Sequence, residues 1–176
     1  AKLPNIEVRY APGPEIRRYI PSWFESAMIG GAPKPLQTPE AAEAAFQTAV
    51  ATARAADQVI MVLGETDVMA GEAASRASLD LPGRQEELLK TVAAMGKPIV
   101  LVLLNGRPLS VNWAAEHIPA ILEAWEPGSE GGNAVADILF GDVNPGGKLP
   151  VSFPRKGSHA PLYYARNLTH SPEGSP

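Results

Sequence analysis

No cysteine occurs among the 176 residues, so disulfides, thiolate metal sites and cysteine nucleophiles are excluded. Histidine is scarce as well. His117, His159 and His170 are scattered, with no HxxxH or HExxH spacing, and no metal site is expected. Neither sign of charge dominates: 15 Lys and Arg stand against 19 Asp and Glu, for a net charge of −4. With no Lys/Arg run, nucleic acid and anionic membrane are not expected as partners. No apolar run approaches the ~20 residues that span a bilayer. The opening Ala1-Lys2-Leu3-Pro4-Asn5 has neither an initiator Met nor a signal-peptide apolar stretch, and the chain reads as a piece of something longer at both ends. Absence of cysteine suits cytosol and periplasm alike.

What is present is a globular composition, 45% hydrophobic and only 19% charged, of a length that fits one domain. Residues 6–10 alternate apolar and polar and predict a short strand, closed by Ala11-Pro12-Gly13-Pro14. Residues 14–38 form a Pro- and Gly-rich excursion carrying Trp23, Phe24 and Met28, too apolar for a flexible linker. Thr38-Pro39-Glu40 opens a helix that runs to Ala56: Thr38 can cap, Pro39 suits the first helical position, and Glu40 suits the positive end of the dipole.

From Asp57 a strand–helix rhythm takes over. Val59 to Leu63, ending at Gly64, reads as a strand buried on both faces. Gly83 to Met95 is helical and stopped by Gly96-Lys97-Pro98. Ile99 to Leu104 is a second buried strand, Leu109 to His117 a short helix, Ala120 to Trp125 a third strand, and Gly131 to Phe140 a further helix. This alternation predicts an α/β fold: a mostly parallel sheet covered by helices. After Pro154 the rhythm stops.

Ligands gather at the carboxyl ends of strands in such sheets. Gly141 to Lys148 superficially resembles a phosphate loop. Its lysine is one place late, Leu149 stands where Ser or Thr should bind magnesium, and the segment follows a helix, so it reads as a turn into a next strand. There is no GxSxG elbow. The segment Gly64 to Leu81 is long for a strand-to-helix connection and carries Glu65, Asp67, Glu72, Arg76 and Asp80, the residue types of acid–base chemistry. From residue types alone, a solvated acidic loop is the slightly better reading. Glu130 at the start of the last helix suits a capping role. Asn105, Gly106 and Arg107 read mainly as architecture, with Arg107 facing a domain interface as the lesser alternative, and Asn167-Leu168-Thr169 fits a glycosylation sequon.

The run from Trp125 to Pro150, WEPGSEGGNAVADILFGDVNPGGKLP, followed by Ser152-Phe153-Pro154, resembles the second domain of glycoside hydrolase family 3. GKPIVLVLLNGRP from Gly96, and Glu72-Ala-Ala-Ser-Arg76 before Leu79-Asp80-Leu81-Pro82, agree with it. The similarity covers about Asp57 to Tyr164 and is strongest to bacterial periplasmic β-glucosidases. It implies a three-layer α/β sandwich of about six strands over residues 1–165, with residues 166–176 a linker to a further domain. It also implies a periplasmic or secreted location.

The resemblance further implies a retaining exo-acting β-glucosidase that needs no cofactor. An upstream (β/α)8 barrel, absent here, would supply an Asp nucleophile. This chain would supply the general acid/base, which the resemblance places on Glu72, with Glu65 as rival and Asp67 shorter and less well matched. Arg76 and Trp125 are candidate substrate contacts, each weighed against a structural use. The implied partners are β-linked glucosides or oligosaccharides, the barrel, and a second copy in a homodimer. The alternatives are a non-catalytic structural or dimerisation domain of the same enzyme, or a related β-xylosidase or exoglucanase. Without its nucleophile the chain alone is expected to be inert.

Overall fold

The computed structural model describes residues 5–16, 37–72 and 74–157. Trp23, Phe24, Met28, the Asn167 sequon and the expected linker 166–176 lie outside them.

Helix α1 spans Pro39–Ala55. Its start follows the expected chemistry: the Thr38 hydroxyl accepts a hydrogen bond from the Ala41 amide at 3.2 Å, and Pro39 takes the position where a missing N–H costs nothing. At its other end the Lys97 ammonium donates to the Arg54 carbonyl (2.6 Å) and to that of Ala56, satisfying carbonyls the helix leaves unpaired. Strand β1 (Val59–Gly64) is followed by a short 3-10 turn (Asp67–Met69), helix α2 (Gln85–Ala93), strand β2 (Ile99–Leu104), helix α3 (Asn112–His117), strand β3 (Ala120–Glu123) and helix α4 (Gly131–Leu139).

The three strands form one parallel sheet in the order β1-β2-β3. Val59 lies beside Ile99 and Gly64 beside Leu104, while Val100 lies beside Ala120 and Leu103 beside Glu123. The in-step register brings all three carboxyl ends to one edge. One sheet face, carrying Met61, Leu63, Ile99, Leu101 and Leu103, packs on Phe46, Val50 and Ala53 of α1, Leu88, Leu89 and Val92 of α2, and Ala114 of α3. Arg84 ties α1 to α2 from outside: its guanidinium lies 4.1 Å from the Phe46 ring centre and bonds Glu43 at 2.6 Å and Glu87 at 2.7 Å.

The α/β class and the parallel sheet follow the sequence reading. Three strands, not six, are formed by the described residues, with helices packed on one face. On the other face Ile60 and Val62 are 46% and 54% exposed, so among the described residues β1, expected to be buried on both sides, is the outer strand of the sheet and is covered on one. Residues 6–10 form no strand. Ile6, Val8 and Tyr10 are all exposed, and an alternating segment without a neighbour to pair with has no ladder to hold it. Among the described residues no strand follows Lys148 either, and residues 148–153 are irregular.

Candidate active site

The site is built where β1, β2 and β3 end. Gly64 closes β1 with φ +144°, and a Cβ there would sit 1.8 Å from the Leu104 carbonyl oxygen, so only glycine permits the chain to leave the sheet at this point. The buried Gln85 side chain completes the exit as a peptide group would. Its Oε1 accepts from the Gly64 amide (2.7 Å), and its Nε2 donates to the carbonyls of Gly64 (2.8 Å) and Pro82 (2.9 Å). The end of β1 and the start of α2 are thereby locked together, and residues 65–81 loop out between them.

Glu65, first in that loop, is turned inward. Its side chain is 1% exposed, and Oε1 receives Arg76 Nη1 at 2.6 Å and lies 3.3 Å from Arg107 Nε. Its Oε2 is buried without a hydrogen-bond partner. Arg76 donates its other terminal nitrogen to the Asp80 carbonyl at 2.8 Å. Arg107, just past β2, donates to the carbonyls of Met69 and Ala74, the latter at 2.8 Å. Glu72 lies between those two anchor points, in a turn where the Ala74 amide donates to the Gly71 carbonyl at 3.3 Å, and it is exposed. The loop thus buries one carboxylate, Glu65, among cations and leaves Asp67, Glu72 and Asp80 exposed.

Beside it opens a cleft of about 570 Å³ lined by Glu65, Thr66, Asp67, Ala70, Gly71, Leu104, Asn105, Gly106, Trp125, Glu126 and Pro127. Gly106 lets the two turns meet, because a Cβ there would lie 2.4 Å from Ala70 Cβ and 2.8 Å from a Glu126 carboxylate oxygen. Asn105 is buried and donates to the Arg107 carbonyl at 2.9 Å, which fixes the turn that aims Arg107.

Trp125 lies just past β3 rather than in it, with φ +52°, a left-handed conformation that a bulky side chain rarely adopts. The Glu123 carboxylate holds it there by accepting the Trp125 amide at 3.0 Å, and the Trp125 carbonyl accepts from the Asn105 amide at 3.2 Å. Its ring centre is 5.8 Å from that of Phe153. Burial pushes the Glu123 carboxyl above its ordinary range, against the smaller opposing pull of the Trp125 amide and the Asn105 side chain.

The structure therefore gathers Glu65, Arg76, Trp125 and the turn bearing Glu72 at one edge, as parallel topology requires. Sequence reasoning passed over Glu123 and Glu126, which flank Trp125, and did not foresee that Arg107 grips the loop. The available signal was the position of Asn105-Gly106-Arg107 at a strand's carboxyl end. Glu130 does not cap α4. Its side chain accepts instead from Asn133 Nδ2 at 2.7 Å, and no side chain caps that helix start.

Comparison with known proteins agrees with this geometry. The profile of the glycosyl hydrolase family 3 C-terminal domain matches residues 4–175. A periplasmic β-glucosidase of Salmonella typhimurium is 48% identical over 134 residues, 76% of this chain and 18% of that protein. A β-xylosidase of Formosa agariphila is 50% identical over 119 residues, 68% of this chain and 16% of that one. The crystal structure of a Listeria innocua β-glucosidase in complex with glucose superposes with a TM-score of 0.70 at 42% identity, covering 75% of this chain and 18% of that one. The chain thus spans less than a fifth of the length of these relatives. With its parallel sheet, its loop of carboxylates and the profile match over nearly its whole length, this chain belongs to glycosyl hydrolase family 3, as a C-terminal domain of that family.

Proposed function

We propose that this domain supplies the general acid/base, Glu72, of a retaining exo-acting β-glucosidase, whose active site is completed by a (β/α)8 barrel carrying an Asp nucleophile. The observation that carries the reading is the contrast within the loop. Glu65 is enclosed by Arg76 and Arg107, whereas Glu72 stands exposed on a turn beside the cleft.

A retaining mechanism needs one ionised carboxylate to attack the anomeric carbon and one protonated carboxyl to release the aglycone, about 5–5.5 Å apart. A carboxylate held at hydrogen-bond and ion-pair distance by two guanidiniums is committed to those partners and is not free to reach a sugar. An exposed carboxylate on a second domain takes its final environment from whatever closes over it. Protonated, Glu72 would donate to the departing oxygen; ionised, it would then take a proton from the water that opens the glycosyl-enzyme. Arg76, with both its bonds made inside the loop, acts as structure in this reading, while Trp125 at the cleft offers an aromatic face to the aglycone side. The names of the relatives favour β-glucosides, with β-xylosides second, and the Salmonella protein favours a periplasmic location.

In a protein joining this domain to its barrel, Glu72→Ala should lower kcat/KM about 10²–10⁴-fold on alkyl β-glucosides, the usual worth of a general acid. It should change kcat/KM little on 2,4-dinitrophenyl β-glucoside, and azide should yield the β-glucosyl azide. If Glu65→Ala shows this pattern and Glu72→Ala does not, the assignment is wrong.

A further inference from the structure

The turn carrying Glu72 is held by a residue from a different strand. Met69 and Ala74 flank Glu72 on either side, and both are buried, at 2% and 5% exposure. The carbonyls of these two residues are bonded by a single nitrogen, Arg107 Nη2. The same guanidinium lies against the buried Glu65 carboxylate, and its backbone is fixed by Asn105. A Cβ at Gly106 would lie 2.4 Å from Ala70 Cβ, so the two turns approach closely there. Among the described residues no other side chain is bonded to both ends: Arg76 bonds Glu65 and Asp80, both outside the 69–74 segment.

From this we infer that Arg107 is a positioning residue for the acid/base. Its guanidinium closes the base of the Glu72 turn and sets where the carboxyl stands relative to the cleft, with Glu65 as the charge that keeps Arg107 in place. The inference rests on the reading of Glu72 given above. Its physical basis is the steep dependence of proton transfer on geometry, where a displacement of about 1 Å costs on the order of 10²-fold. A turn released from its two carbonyl anchors gains that much freedom readily. A guanidinium is needed because it presents several donors from one rigid plane, and the single ammonium of lysine cannot serve two carbonyls and a carboxylate with the same geometry.

The test uses the barrel-bearing enzyme and three variants: Arg107→Lys, Arg107→Met and Glu72→Ala. Arg107→Lys keeps a cation beside Glu65, so the loop stays neutralised even where Arg107→Met fails to fold. For each, kcat/KM is measured on methyl β-glucoside, which needs an acid, and on 2,4-dinitrophenyl β-glucoside, which does not. The expected result for the Arg107 variants is a loss of about 10–100-fold on the first substrate and under about threefold on the second. A merely structural role would lower both together. If Glu72→Ala shows the split and the Arg107 variants show parallel losses or none, this inference is overturned alone. If Glu72→Ala lacks the split, the acid/base reading falls and this inference falls with it.

Discussion

Glu65 and Glu72 share one loop, yet they have different surroundings that no residue type announces. The first meets two arginines because Gly64 and Gln85 turn the chain inward as it leaves β1. The second is exposed on a turn whose flanking residues, Met69 and Ala74, are buried. Glu123 shows the same scale of effect. Its carboxyl is raised by burial, so the stability tied to its protonated form is fully present below the ordinary carboxylate range and is lost as pH rises through the raised value. Glu123→Gln keeps an oxygen for the Trp125 amide and has no proton to lose. Its Tm relative to wild type should therefore rise between about pH 4 and pH 7. A Tm difference that is flat across that range would show that Glu123 is not desolvated as described.

Among elements, the best-read ones are those whose ends carry their own chemistry. Thr38 and Pro39 start α1 where expected, and Ile99–Leu104 is the strand its apolar run predicts. Ends set by tertiary contact shifted inward: α2 begins at Gln85 rather than Gly83, α3 at Asn112 rather than Leu109, and β3 stops at Glu123 because Trp125 takes a left-handed conformation. Gln85 is the element-scale device, joining the β1 exit to the start of α2 through three hydrogen bonds. Gln85→Met preserves volume but strands the Gly64 amide and carbonyl in the interior. Leaving buried backbone groups unpaired costs about 1–3 kcal/mol each, so the urea midpoint should fall by the equivalent of about 3 kcal/mol. A loss below about 1 kcal/mol would mean that water or a rearranged backbone takes over the role of Gln85.

For the whole molecule, the sheet is covered on one face by α1, α2 and α3, while Ile60 and Val62 on the other stay open among the described residues. The carboxylates at the cleft all come from a domain that matches less than a fifth of its relatives. In the proposed reading the second reacting carboxylate comes from the barrel, and a single acid/base has no route to a glycosyl-enzyme. The 176-residue chain should therefore give no turnover of an aryl β-glucoside, and joining it to its barrel should restore turnover. Hydrolysis by the isolated chain, at a rate that Glu72→Ala abolishes, would sink the two-domain reading.

The sequence by itself determined the α/β class, the three parallel strands and the family, because apolar periodicity, helix starts and a long motif run are local and additive along the chain. It also marked the segment Gly64 to Leu81 as the place for chemistry, and by resemblance it singled out Glu72 within it. Only the tertiary structure decided which carboxylate is enclosed and which is presented, and that Arg107, more than thirty residues away, grips the turn. Those outcomes depend on the parallel register that carries the ends of β1 and β2 to the same edge, and on the desolvation that forces a buried carboxylate to find cations.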